Sequence, residues 1–197
     1  LTNFADQLNI PVNQVMENLN ASMSVLAKYG KTGVDVFKKV EAAAKATGIA
    51  TQDLISITQQ FDTFQSAADA VGRLNGILGG NYLNSLEMVN MTEDERIRKL
   101  LGVIDLSGKS WESLGRHERQ AIAAAAGIND MNQANKLFGA GVAGYDKMLA
   151  AQDKNADAAK RQQEMAKAAA SAQEKYNAVM EQLSVAVKPI IDLLHGM

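Results

Sequence analysis

The chain has 197 residues and no cysteine, which excludes disulfides and thiolate metal sites. Its formal net charge of -2 at pH 7 gives no electrostatic case for a dedicated surface for nucleic-acid phosphates. Only 5% of the residues are aromatic and much of the 47% hydrophobic share is alanine, so any core is predicted to be thin. The two prolines, Pro11 and Pro189, leave the long stretch between them free of the residue that breaks helices.

The first predicted helix lies between Pro11 and Gly30, because apolar side chains recur there every three or four residues. A second amphipathic stretch ends at Gly48, which suits the left-handed position after a helix. Thr51 is the predicted N-cap of a short third helix.

The next predicted helix has an apolar stripe that runs from Phe61 to Leu78 and is closed by two glycines. Thr92 and Glu95 then have the spacing of a capping box, in which each side chain satisfies a backbone N–H of the other residue. The helix that this box opens is predicted to stop at Gly108.

Two more helices are predicted after Gly108, the first capped by Ser113 and ended by Gly127, the second capped by Asn129 or Asp130. No alternating strand pattern competes with these helices. Residues 1–144 are therefore predicted to form a multi-helix head, whose core residues are Leu19, Met23, Leu26, Phe37, Phe61, Phe64, Val71, Leu74, Leu100, Ile104, Ile122 and Leu137.

Residues 145–188 change to a composition rich in alanine, lysine, glutamine and glutamate and are predicted to form one long helix. Steps of three and four give a heptad-like seam with apolar ends and a small, polar middle, which favours a coiled coil, a multimeric bundle or docking on a wall. Pro189 then begins a short helical tail, 189–197. The seam for self-association or docking contains Tyr145, Met148, Ala159, Ala166, Ala169, Tyr176, Met180 and Leu183.

Two fragments imitate functional motifs, and each lacks a required feature. Gly102 and Gly108 are separated by five residues where a phosphate-binding loop needs four. His117 and Glu118 begin like a zinc-protease motif, but Ala121 stands where the second histidine is needed. Since the other histidine, His195, has no predicted partner, no catalytic, metal-binding or cofactor-binding residue is predicted, and the chain is not expected to be an enzyme.

The middle of the chain resembles tape-measure proteins of tailed-bacteriophage tails. This resemblance covers about residues 61–139, under half of the chain, and its motifs are structural. The matching stretches are Gln60–Phe64, Ala70–Gly80, Tyr82–Met88, Thr92–Ile97, Ser107–Lys109, Arg119–Ile122 and Ala134–Gly139.

The resemblance implies a structural virion protein that lies in the tail tube or at a tail end, sets tail length during assembly and leaves ahead of the DNA. It also implies self-association, in three or six copies, and contacts with tail-tube and tail-tip or baseplate hub proteins. No specific nucleic acid and no stable membrane insertion in the assembled state are expected, and the host cytoplasm is the site of assembly. At 197 residues the chain is short for such a protein, so a fragment or processed domain is expected.

Two alternatives remain open from the sequence. Residues 120–137 have the spacing of a helix-turn-helix, which predicts a DNA-binding regulatory module that uses Asn132 and Lys136. Gly72, Gly76 and Gly80 have the spacing that lets helices approach closely in lipid, which predicts a membrane-active helical protein.

Overall fold

The computed structural model describes residues 1–151 and the single positions 154, 161, 164, 165, 167 and 171, and every regular element in this part of the chain is helical. The prediction of an all-α protein is therefore confirmed. In chain order the α-helices are α1 (Thr2–Leu8), α2 (Val12–Leu26), α3 (Gly33–Thr47), α4 (Thr51–Gln59), α5 (Phe64–Leu78), α6 (Ser85–Asn90), α7 (Glu93–Leu106), α8 (Arg116–Ala125) and α9 (residues 131–151), with 3-10 turns at Ala27–Thr32 and Trp111–Ser113.

The helices α3 and α5 organise the head. Helix α3 packs against α1, α2, α4 and α7, while α5 packs against α6 and α8. The interior between these helices holds Phe37, Leu54, Leu74 and Leu100, which are fully buried. Helix α3 buries side chains around most of its circumference, as expected of a helix surrounded by neighbours.

Helix α1 was not predicted, although it buries Phe4, Ala5 and Leu8. It is seven residues long and has no side-chain cap, so local sequence gives it little support. Its chain reverses at Asn9, which has a left-handed φ of 51° and is followed by the start of α2 at Pro11. Tertiary packing rather than local propensity therefore determines this helix.

The prediction of Thr51 as an N-cap is wrong, because Ala50 occupies that position and Thr51 is the first residue of α4. The Thr51 hydroxyl instead donates a hydrogen bond of 2.7 Å to Oε2 of Glu41 on α3. The predicted end of the preceding helix is confirmed, since Gly48 adopts a left-handed φ of 69°.

Two residues predicted for the core, Phe64 and Met23, are 59% and 53% exposed. Helix α5 starts at Phe64 rather than at Phe61, because the Thr63 side chain caps it by accepting the backbone N–H of Ser66. Phe61 thus lies in the preceding turn and is buried there, whereas Phe64 faces outward. Met23 lies beside the buried stripe of α2, which contains Val15, Ser22 and Leu26, and remains exposed. Of the other predicted core residues, Leu19 is partly buried and the rest are buried.

The predicted start of α7 is confirmed. Oε2 of Glu95 accepts the backbone N–H of Thr92 at 2.9 Å, as a capping box requires, and the Thr92 hydroxyl donates to Asp94. The short helix α6 just before it was not predicted, and it is capped by Asn84, whose side chain accepts the N–H of Glu87.

Ser113 does not cap α8, so that prediction is wrong. Gly115 is the N-cap residue, and its N–H donates to Glu118 at 2.9 Å, while Ser113 belongs to the preceding 3-10 turn. Gly127 follows the end of α8 with a left-handed φ of 70°, as predicted. Of the two predicted caps for the next helix, Asp130 is used, since its carboxylate accepts the N–H of Asn132 at 2.8 Å.

One compact unit contains Leu1–Gln152, so it includes the first residues of the segment predicted to be a separate long helix. Within α9, Gly141 has a left-handed φ of 62°, which interrupts the regular helical backbone. The second unit is Asp153–Met197, and its described residues are helical and exposed.

Candidate functional site

The start of α7 carries a buried ionic cluster built on Arg96. Its guanidinium donates to the backbone carbonyls of Met88 (2.8 Å), Val89 (2.9 Å) and Thr58 (3.2 Å), and to Oδ1 of Asp62 (2.6 Å). These carbonyls belong to the last turns of α6 and α4, where helices leave acceptors without partners. One side chain thus caps two helices and joins them to α7.

Glu93 extends this cluster, and its carboxylate is fully buried. The Lys28 ammonium lies 2.7 Å from Oε1 of Glu93 and 3.0 Å from Oδ1 of Asp62. Neither oxygen of Glu93 forms a hydrogen bond of good geometry with the described residues, so this ion pair is its main compensation. Burial, followed by the neighbouring Glu93 carboxylate, raises the pKa of Tyr29. Two cations and two anions balance here, as buried charges require.

The stability of the head is expected to fall in acid through Asp62. Burial raises the pKa of Asp62, but hydrogen bonds from Arg96 and Lys28 outweigh this and hold it below the ordinary value. A depressed folded-state pKa contributes stability above the unfolded pKa of about 3.9, and this is lost as the pH falls through the folded value. Urea unfolding should show the full penalty for Asp62→Asn above about pH 5, and the penalty should shrink progressively as the pH falls below about 4.

Asp35 provides the control for this pH dependence, because its carboxylate is exposed and lies 3.5 Å from Lys38. The substitution Asp35→Asn should have little effect at any pH. A constant penalty for Asp62→Asn across the pH range would contradict the assigned role of its ionised carboxylate.

A second polar cluster joins α2, α3 and α4 around the buried Glu41. Its two carboxylate oxygens accept hydrogen bonds from Asn18 Nδ2 (2.9 Å) and Thr51 Oγ1 (2.7 Å). A pocket of about 260 Å³ opens beside it, with Lys45 at its lining. The Lys45 ammonium is directed to the carbonyl of Asn9 at 3.5 Å. Since neutral donors satisfy both oxygens, the cluster acts as a structural bridge between helices.

Helix α9 packs beside α7 and is linked to it by an ion pair. Arg98 donates two hydrogen bonds of 2.8 Å to the two carboxylate oxygens of Asp146, a paired geometry that is stronger than a single contact. These bonds lower the pKa of Asp146, with Arg98 as the main cause. The adjacent Tyr145 is 1% exposed, and its burial raises the pKa of its hydroxyl. Charge and packing therefore act together at this junction.

The predicted seam begins inside this junction. Tyr145 is packed in the core of the head and Met148 is partly buried, so the first seam residue contacts the head rather than lying on a free face. The remaining seam positions, Ala159, Ala166, Ala169, Tyr176, Met180 and Leu183, and the predicted tail 189–197, lie outside the described residues.

The outer surface of the head exposes several large apolar side chains. Met16 and Met23 on α2 are seven residues apart, so they lie on the same face of that helix. Leu86 on α6 and Leu106 at the end of α7 are also exposed. Single exposed apolar residues are common on proteins, and the pair on α2 is the best candidate here for contact with another helix.

The fragments that imitate motifs have structural roles. Glu118 accepts the N–H of Gly115, which lowers the pKa of Glu118, and it lies 3.6 Å from Lys109. Within the described residues, no group of three or more histidine, aspartate or glutamate side chains is arranged to hold a metal ion. No helix in the same part of the chain is long and apolar enough for a membrane span.

The sequence did not reveal the Arg96 cluster, although one signal was present. Glu93 and Arg96 fall on the same face of α7 as Ile97, Leu100 and Ile104, at helical spacing. Charged residues on an apolar stripe indicate a buried polar cluster, but the partners Asp62 and Lys28 are distant in sequence and could not be assigned.

Comparisons of the chain with protein-family models, with curated proteins and with solved structures found no match.

Proposed function

We propose that this chain is a structural protein of a tailed-phage virion, of the tape-measure class, in which a helical head carries a long helical arm. The positions of the residues that carry the resemblance support this proposal. Phe61, Leu74, Met88, Ile97 and Leu137 come from five of the matching stretches, and all are buried in the head. The resemblance therefore concerns residues that determine the fold.

The observation that carries the proposal is the attachment of α9 to α7. Tyr145 is buried and Asp146 is paired with Arg98 at the very start of the alanine-rich segment 145–188. A protein whose arm sets a distance needs that arm to start at a fixed point. The junction supplies such a point on the head.

In this proposal, the part of residues 145–188 that follows the contacts of Tyr145 and Asp146 with the head associates as a coiled coil or multimeric bundle of three or six copies. The partners are tail-tube and tail-tip or baseplate hub proteins, the location is the tail lumen or tail end, and the role is structural rather than catalytic. A helix rises about 1.5 Å per residue and needs neighbours to bury its seam, so such an arm is suited to length measurement.

The test is tail length in virions. An in-frame insertion of about four heptads within the alanine-rich segment of the parent protein should lengthen the tail by about 42 Å, at about 1.5 Å per residue. Electron microscopy of the particles measures this. The matched control is an insertion of the same length in the loop between α5 and α6, which should leave tail length unchanged. Unchanged tails with the arm insertion would contradict the proposal.

The helix-turn-helix alternative has less support from the contacts of α9. Gln133 Nε2 donates to Asp53 at 2.8 Å and the Lys136 ammonium donates to the carbonyl of Gly48 at 3.0 Å. Ala134 and Leu137 are buried. Gln133 and Lys136, which would have to reach DNA bases, therefore contact α4 and the end of α3 instead. Of the predicted pair Asn132 and Lys136, only Asn132 is both exposed and without a hydrogen bond to these helices.

The membrane-active alternative relied on close helix packing at glycines. Gly72 and Gly76 lie on the exposed side of α5 with open space around them, and Gly80 lies against the ring of Tyr82. Within the described residues no helix packs on the first two glycines, so no contact there supports a tight helix pair.

A further inference from the structure

The surface between α8 and the first turns of α9 forms a cleft of about 210 Å³. It is lined by Arg116, Arg119, Gln120, Met131 and Asn135. The two arginines are three residues apart and therefore share one face of α8. Neither guanidinium forms an ion pair with the carboxylates of the described chain. The cleft thus holds two positive charges that the head does not neutralise.

The amide of Asn135 is oriented by a tryptophan. The indole Nε1 of Trp111 donates to Oδ1 of Asn135 at 3.0 Å, and an indole can only donate. The carbonyl oxygen of Asn135 is therefore occupied, and its NH₂ group remains for another acceptor. Trp111 is itself buried in the core, where the centroids of its ring and the Phe138 ring are 5.0 Å apart.

Two of the acidic residues close to the cleft in sequence, Glu118 and Asp130, have other partners. Glu118 accepts the N–H of Gly115 and pairs with Lys109, and Asp130 accepts the N–H of Asn132. Both carboxylates are engaged in starting a helix, so they are poorly placed to neutralise Arg116 and Arg119. The lining of the cleft thus includes two arginines and two amide side chains beside the apolar Met131.

We propose that this cleft binds the carboxylate of an aspartate or glutamate side chain from an acidic segment of another protein. Guanidinium groups bind carboxylates with paired hydrogen bonds, and the amide of Asn135 adds a further donor. The volume suits one side chain, and Met131 offers an apolar contact for its methylene groups. Two arginines are too few for a nucleic-acid backbone, whose affinity depends on many phosphate contacts. This site is independent of the function proposed above.

The test uses a hexaglutamate peptide and the complete chain, with binding measured by calorimetry at low salt. Trp111 is the chain's one tryptophan, so its fluorescence reports on the cleft specifically. We expect saturable heat together with a change in tryptophan emission. The double variant Arg116→Gln, Arg119→Gln should weaken binding about tenfold or more, since charge-assisted hydrogen bonds are lost.

Arg73 supplies the matched control, because it is an exposed arginine on α5 that does not line the cleft. Arg73→Gln should leave affinity for the peptide unchanged. The absence of saturable binding, or equal weakening by Arg73→Gln, would overturn the proposal. Tighter binding of inorganic phosphate or of duplex DNA than of the peptide, lost in the double variant, would overturn it in favour of a phosphate site.

Discussion

Replacing Arg96 with alanine is expected to destabilise the head by about 3–5 kcal/mol, the usual cost of removing one partner from a buried ion pair. The substitution leaves the carbonyls of Thr58, Met88 and Val89 without their guanidinium donor and removes a cation from Asp62. Because the free energy of unfolding of a folded domain is only about 5–15 kcal/mol, this substitution removes a large part of it. Urea unfolding followed by circular dichroism measures this change.

Arg98→Ala is the matched control, since Arg98 is two residues further along α7 but pairs with Asp146 at the surface. Exposed pairs contribute about 0–1 kcal/mol, so this variant should unfold close to the parent midpoint. Arg96→Lys keeps the charge but loses the fork of donors, and an intermediate midpoint is expected. Equal effects of Arg96→Ala and Arg98→Ala would show that burial of the cluster contributes nothing.

Replacing Tyr145 with alanine is expected to cost about 3–5 kcal/mol, the range for truncation of a large buried ring. The ring of Tyr145 is 1% exposed and anchors α9 in the core. In addition to a lower unfolding midpoint, amide hydrogens of α9 after Gly141 should exchange faster than those of α3. Hydrogen exchange followed by mass spectrometry distinguishes this local release from general destabilisation.

Tyr145→Phe separates packing from the hydroxyl group. The ring remains and only the oxygen is removed, so the change should cost far less than truncation to alanine. Lys147→Ala, at an exposed neighbour on α9, should be nearly neutral. Full protection of α9 in Tyr145→Ala would contradict the anchoring role.

The sequence predicted the features that local chemistry determines. Gly48 and Gly127 end helices because their left-handed backbone favours glycine, and Glu95 and Asp130 start helices through hydrogen bonds to residues two or three positions away. Each of these contacts is complete within a few residues, so its signal is readable in one short stretch of sequence.

Features that depend on distant partners were not predictable in the same way. Thr51 has the side-chain chemistry of an N-cap residue, but its hydroxyl donates a hydrogen bond to Glu41 on α3 instead. Met23 and Phe64 continue apolar stripes, and only the position of neighbouring helices decides which part of a stripe is covered. Helices α1 and α6 are too short to be stable alone, so their existence depends on the core and on Arg96.

The contacts of Tyr145 and Asp146 with the head have a consequence for how the head responds to tension. A force that pulls on the chain beyond residue 151 reaches Asp146 and Tyr145 before it reaches Gly141. The Arg98–Asp146 pair and the buried ring of Tyr145 therefore bear such a load first.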